Sequence, residues 1–324
     1  MSLLEVEGLT LDVPVPSGMG RILHGVDLAV DAGAAVGIVG ESGAGKSLTV
    51  RSIAGLLPPA AAQKGSLRFA GEEVASMSSD RLRRYRSAQV AMVFQDPRAA
   101  INPVRKVGDF LIENVVTNLG WSRSQARDRA AEVLNQVGIT DPERRLTSFP
   151  AQLSGGLLQR VMIASTLLYE PELLLADEPT TALDVTTQSA VMALIDKLRR
   201  ERGMAMVFVT HDLELAAAVC DTIHVMYAGR IVETLPADEL HEKSRHPYTR
   251  ALLDARPRLE ARETRLRAIP GQPASGLEDI AGCAFAPRCT FVLDACRSDQ
   301  PSMVLADGHE VRCHRAGELL WGSA

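Results

Sequence analysis

Across roughly the first 235 residues, short and almost wholly apolar runs alternate with longer stretches whose apolar positions recur at helical spacing. Val36–Val39, Ala91–Phe94, Leu173–Ala176 and Ala205–Thr210 carry almost no polar side chain, the pattern of strands covered on both faces. Leu48–Leu57, expected to stop at Pro58 and Pro59, Arg123–Val137 and Gly156–Tyr169 read as helices between them. Strands and helices in this alternation predict an α/β domain around a mainly parallel sheet. From about Pro236 the strong strand signals stop, and Pro, Arg and Cys take over. Ala268–Gly276 holds two prolines and two glycines in nine residues, which opposes helix and sheet alike and predicts an extended connector. The chain is therefore expected to divide into residues 1–235 and an extension over residues 236–324, with no internal repeat.

Composition changes this picture little. A chain of 324 residues suffices for one large domain with an appendage or for two modest domains. Its 46% hydrophobic and 23% charged content is ordinary for a globular protein. The net charge of −5 gives no electrostatic footprint for nucleic acid, and the cluster Arg81, Arg83, Arg84 and Arg86 is expected to be a solvated helix face. No apolar run reaches the roughly 18 residues of a membrane span, and the N-terminus lacks a signal-peptide pattern. The expectation is a chain that is itself soluble and cytosolic.

Candidate chemistry begins at Gly40-Glu41-Ser42-Gly43-Ala44-Gly45-Lys46-Ser47. The string follows a strand run and precedes a helix run, the context in which a glycine-rich loop curls backbone N–H groups round phosphate oxygens at the positive end of a helix. Lys46 is expected to reach the β- and γ-phosphates of ATP, and Ser47 to ligate Mg²⁺. Leu173–Ala176 delivers Asp177 and Glu178 at its carboxyl end, where ligands bind in open α/β sheets. Asp177 is expected to hold Mg²⁺ through water, and Glu178 to polarise the attacking water as catalytic base. Ser154-Gly155-Gly156 opens a further helix, with Ser154 as N-cap and the glycines leaving its amides open to phosphate. Gln95 follows Ala91–Phe94, Ala182-Leu183-Asp184 follows the Asp-Glu pair, and His211 follows Ala205–Thr210.

In this order the set resembles the ATP-binding cassette (ABC) family over essentially the first 235 residues. The resemblance implies an α/β P-loop ATPase with a RecA-like core, an antiparallel β subdomain and a helical subdomain at about residues 98–157. It implies that Gln95 senses Mg²⁺ and the transporter, that His211 contacts the γ-phosphate, and that Asp184 lies in a loop communicating across a dimer. Two such domains are expected head to tail, the phosphate loop of one and Ser154-Gly155-Gly156 of the other enclosing each ATP. Leu157 and Leu158 depart from the glutamine of the commonest signature and the arginine frequent in peptide importers, changes expected to tune helix packing. The aromatic residue that stacks on adenine is also missing before Phe69, which leaves Arg21, Ile22 and His24 as candidates.

Four of the five cysteines, Cys283, Cys289, Cys296 and Cys313, fall in the last forty-two residues. In a cytosolic chain such clustering points to metal or cluster ligation rather than disulfides. Zinc usually takes a close pair, whereas the gaps here are five, six and sixteen residues, and an iron–sulfur cluster is the other candidate. Cys220 stands in an apolar stretch and reads as core. His246-Pro247-Tyr248-Thr249, Ile269-Pro270-Gly271 and Gly282-Cys283-Ala284-Phe285-Ala286-Pro287-Arg288-Cys289 resemble the C-terminal extension of the oligopeptide, dipeptide and nickel importer ATPases. Phe94-Gln95-Asp96-Pro97-Arg98 and Ile101-Asn102-Pro103 fit the same group. For the four cysteines this resemblance implies a 4Fe-4S cluster, with zinc as the alternative.

The function so implied is the ATP-hydrolysing subunit of an importer for di- or oligopeptides, with nickel as the alternative cargo. A soluble ABC ATPase acting on nucleic acid or ribosomes is the rival from another class; such proteins usually carry tandem cassettes or long coiled coils, neither of which is seen here. Expected partners are a second, distinct cassette in a heterodimer, two permease subunits coupled through Gln95–Glu113, and an extracellular or periplasmic binding protein reached through the permease. That places the chain at the cytoplasmic face of a membrane.

Overall fold

The computed structural model describes residues 2–180, 185–255 and 268–319, in two compact units. The strands are β1 (Ser2–Val15), β2 (Gly18–Asp31), β3 (Ala35–Val39), β4 (Ala62–Phe69), β5 (Glu72–Glu73), β6 (Val90–Val93), β7 (Leu173–Asp177), β8 (Ala205–Thr210), β9 (Thr222–Tyr227), β10 (Arg230–Pro236), β11 (Val304–Ala306) and β12 (His309–Val311).

The first unit is built mainly from Phe69–Val209. Its β6, β7 and β8 pair in parallel, with Val93 opposite Ala176 and Asp177 opposite Val209. Every residue of β7 and β8 is buried, which is why these runs lack the polar alternation of a half-exposed strand. Helices Val107–Thr117, Arg123–Gln136 and Gly155–Leu167 lie between β6 and β7 in the chain. Arg123–Gln136 starts on a reciprocal capping box between Ser122 and Gln125, and it buries Ala126, Ala130, Val133 and Leu134, one stripe at helical spacing. The basic cluster falls on and beside helix Ser79–Arg84, where Arg81 pairs with Glu72 at 2.7 Å and Arg83 with Asp80 at 2.8 Å.

The second unit draws Glu5–Ala29, Val36–Arg68 and the chain from Thr210 onward into one body. β2, β1 and β4 are neighbours in one sheet. β3 runs parallel to β9, β10 antiparallel to β9, β12 antiparallel to β10, and β11 antiparallel to β12. The last pair corrects the expectation that strands end near Pro236. Asp307 and Gly308, at φ 49° and 88°, supply the two left-handed residues of a tight hairpin between strands of three residues each. Helix Lys46–Ala54 also ends earlier than the proline pair suggested, because Gly55 adopts φ 66° and its N–H closes on the carbonyls of Arg51 and Ser52. Ala268–Gly276 forms neither helix nor strand, as its composition predicts. Among the described residues no helix is long and apolar enough to cross a membrane.

Candidate functional site

β3 runs straight into the glycine-rich loop, and the loop into helix Lys46–Ala54. Gly43 and Gly45 sit at φ 83° and 106°, backbone that an L side chain rarely adopts. A Cβ on Gly40 falls 2.2 Å from the Met226 carbonyl oxygen, so the first glycine is fixed by close approach of β9. Lys46 is buried, and its Nζ donates to the carbonyls of Gly40 and Glu41 at 2.8 and 3.0 Å. The loop thus closes around its own lysine, with the helix N-terminus behind it.

In the first unit, β7 ends on Asp177, only 1% exposed, and Glu178 follows at φ 44°. A left-handed glutamate is strained backbone, held here by its N–H bond to the Val209 carbonyl at 3.0 Å. Gln95, just past β6, donates from Nε2 to Glu178 Oε2 at 3.0 Å. Two of the candidate residues, 83 positions apart, are brought together by this contact. Ser154 caps helix Gly155–Leu167, its Oγ accepting from Leu157 N at 3.3 Å. A Cβ on Gly155 meets nothing within 4 Å, which leaves that helix end open. His211 follows β8 and is exposed, ahead of Asp212, which caps helix Leu213–Val219. Asp184 lies outside the described residues.

Within the second unit the tail reaches the loop, a contact that sequence reasoning missed. Arg288, 6% exposed, makes a two-pronged ion pair with Glu41, Nη1 to Oε2 at 2.6 Å and Nη2 to Oε1 at 3.0 Å. The Glu41 N–H donates to Tyr248 Oη at 2.8 Å. Tyr227, Tyr248 and Phe285 pack around this pair with centroids 4.6 to 5.5 Å apart. Both Tyr248 and Arg288 stand in the motifs that carried the resemblance, but nothing in their spacing showed that they meet residue 41.

The tail also accounts for two of the three adenine candidates. The ring nitrogen Nε2 of His24 lies 2.7 Å from the Gly276 carbonyl oxygen, and burial lowers its pKa. Ile22 is buried, and Gly276 comes so close that a Cβ there falls 2.3 Å from the Ile22 oxygen. Arg21 instead pairs with Asp12 at 2.7 Å.

Cys283, Cys289, Cys296 and Cys313 all line a single cavity of about 20 Å³, together with His246, Phe285 and Phe291. Backbone N–H groups of Phe291, Leu293 and Arg315 point at the sulfurs of Cys289, Cys296 and Cys313 at 3.4 to 3.5 Å. Burial pushes the Cys283 and Cys289 thiols up and Cys313 up to about 11, so at neutral pH they are thiols unless a cation stabilises thiolate. Among the described residues no three His, Cys, Asp or Glu side chains stand together as a ready metal site. Convergence on one cavity is as far as the four cysteines go. Cys220 is 8% exposed, a core position.

Residues 23–181 match the family described as ABC transporter, and residues 232–296 match the C-terminal region of oligopeptide/dipeptide transporters. Among solved structures, the dimeric ATP-binding cassette MJ0796 in a post-hydrolysis state with ADP and Pi aligns with a TM-score of 0.65 and 28% identity, over 72% of this chain and 98% of that one. CbiO1 from Clostridium perfringens aligns at 0.62 and 28%, over 74% of this chain and 90% of its own. Fold and loop together make the protein an ABC-type P-loop ATPase. The dipeptide transport ATP-binding protein DppD of Escherichia coli (strain K12) is 42% identical over 97% of both chains. The probable peptide ABC transporter ATP-binding protein y4tR of Sinorhizobium fredii is 43% identical over 98% of this chain and 96% of its own. The chain belongs to the peptide branch of the ABC transporter ATP-binding proteins.

Proposed function

We propose that this chain hydrolyses ATP to drive uptake of di- or oligopeptides through a separate permease. The observation that carries the cargo class is the 42% identity with a dipeptide transport protein along 97% of both chains. In this reading residues 1–235 form the nucleotide-binding domain and residues 236–324 its extension. Loop amides from Gly40 to Ser47 and the Lys46 ammonium hold the phosphates. Ser47, Gln95 and Asp177 would hold Mg²⁺, a role suited to the carboxylate of Asp177, 1% exposed at a strand end; when bound, the ion would supply positive charge to offset that of the phosphates. Glu178 takes a proton from the attacking water, and its bond from Gln95 at 3.0 Å fixes the carboxylate's direction. His211 faces the γ-phosphate. Ser154, Gly155 and Gly156 serve the ATP of a second, distinct cassette, and Asp184 relays between the two. Partners are that cassette, two permease subunits and a peptide-binding protein, with the chain at the cytoplasmic face of the membrane.

The four cysteines fit an iron–sulfur cluster or a zinc ion in kind. Four cysteines lining one cavity, three of them receiving backbone N–H groups, supply thiolate donors of the right kind, although among the described residues no three of them stand together as a ready site. Cys283, Cys289, Cys296 and Cys313 would hold the group, which would cross-link the tail.

Cells lacking the chain are expected to lose dipeptide uptake and to regain it with the wild-type protein but not with Glu178→Gln. The purified variant should bind ATP while turnover falls by about 10²- to 10⁴-fold. Undiminished hydrolysis removes Glu178 from its role, and intact peptide uptake with lost nickel uptake overturns the cargo.

A further inference from the structure

Arg288 sits between two features that the proposed function leaves unconnected. On one side is the glycine-rich loop, where its guanidinium grips Glu41 at 2.6 and 3.0 Å. On the other is the cysteine cavity, since Arg288 ends the single turn Ala286–Arg288 between Cys283 and Cys289. Phe285 and Ala286 of that stretch line the cavity, and the Ala286 N–H donates to the Cys283 carbonyl at 2.9 Å. Arg288 has little freedom of its own. Its Nε donates to the Pro270 carbonyl at 2.8 Å, Nη1 also reaches Tyr227 Oη at 3.3 Å, and the rings of Tyr227 and Phe285 lie 5.9 Å from the guanidinium carbon.

Glu41 is equally committed. Its N–H is held by Tyr248, and its carbonyl accepts from Lys46 Nζ at 3.0 Å. A shift of the Cys283–Cys289 turn therefore either carries Glu41 with it or breaks a half-buried, charged, two-pronged pair, which is costly.

Given that the loop binds ATP, as proposed above, we infer that Arg288 is a positioning residue for the phosphate loop, through which the four-cysteine cavity sets nucleotide affinity. Arg288 acts through Glu41, whose carboxylate it holds and whose carbonyl accepts from Lys46. Perturbing the cavity changes ATP affinity in a chain with Arg288 and does nothing further in a chain without it.

The test is a cycle in the full-length chain: wild type, Arg288→Gln, Cys313→Ala and the double variant, titrated with a fluorescent ATP analogue and melted in parallel. Arg288→Gln is expected to weaken binding about tenfold, within the range usual for coupled sites. In steady-state hydrolysis it should raise KM for ATP while leaving kcat close to wild type. Cys313→Ala is expected to shift affinity in the wild-type background and not in the Arg288→Gln background. Equal shifts in both backgrounds, or none in either, overturn the inference. Should Arg288→Gln fail to fold, Arg288→Lys decides, because it keeps the charge and loses the fork; wild-type affinity there overturns it too. Failure of the wild type itself to bind the analogue sinks the ATP reading instead.

Discussion

Tyr248→Phe isolates one hydrogen bond between tail and loop. The ring is fully buried and sits edge-on to Tyr227 at 4.6 Å and tilted against Phe285 at 5.3 Å, contacts that phenylalanine keeps. What disappears is the oxygen that accepts the Glu41 N–H at 2.8 Å. Leaving a buried donor without its acceptor costs about 1–3 kcal/mol. Glu41 retains some solvent access, its side chain being 24% exposed, so water softens the loss and the expected cost is about 1 kcal/mol. For a chain of this size that lowers Tm by roughly 1–2 °C. Tyr248→Ala removes the ring as well and leaves a cavity beside Tyr227 and Phe285, at a cost of about 3–5 kcal/mol by comparison with Phe→Ala. Calorimetric melting of the three proteins in one buffer separates the two contributions. A Phe variant that melts with the wild type while the Ala variant drops would show that the ring packs but the hydroxyl ties nothing, and the link from tail to loop would rest on Arg288 alone.

Two further outcomes follow from single contacts. Gly276→Ala places a Cβ 2.3 Å from the Ile22 oxygen, so the connector must lift from β2 and give up the His24 contact; a melting temperature equal to wild type would contradict that approach. Burial pushes His224 and His246 down to about 4, and the unfolded chain therefore takes up protons first. Their contribution is complete above about pH 6.5 and is lost as pH falls toward 4, the loss amounting to about 2 kcal/mol for each by pH 5. Urea midpoints that stay level between about pH 7.5 and 5 would exclude neutral, desolvated imidazoles at these positions.

The fully buried parallel strands were the most legible part of the chain. β7 and β8 have no exposed residue, so hydrophobicity alone marks them and their bounds come within one residue of the sequence reading. Loop, Asp-Glu pair and Ser154 cap were legible for a related reason, since each is a local string at the end of such an element. The helix after the loop was read too long because a proline pair overshadowed Gly55, a weaker signal in composition but the one whose left-handed backbone closes the helix. β11 and β12 were missed because three residues give no periodicity, although Asp307-Gly308 is a recognised hairpin dipeptide. The Arg288–Glu41 pair spans 247 residues, and no one-dimensional pattern encodes a contact between two ordinary charged residues at that separation.

Texture and packing also divide the chain differently, and the difference bears on function. Residue 235 marks where apolar strands give way to Pro, Arg and Cys, yet the compact unit that holds the loop includes residues on both sides of it. β12 adds to β10, with Val311 opposite Glu233. Glu233 is fully buried and accepts the backbone N–H of His246 at 3.1 Å. Gly276 lies against Ile22, and Arg288 and Tyr248 hold Glu41. A buried carboxylate and a buried guanidinium are tolerable only while their partners stay in place. The extension therefore behaves as part of the nucleotide-binding body, and its cysteine cavity is placed to influence the loop through structure it already shares.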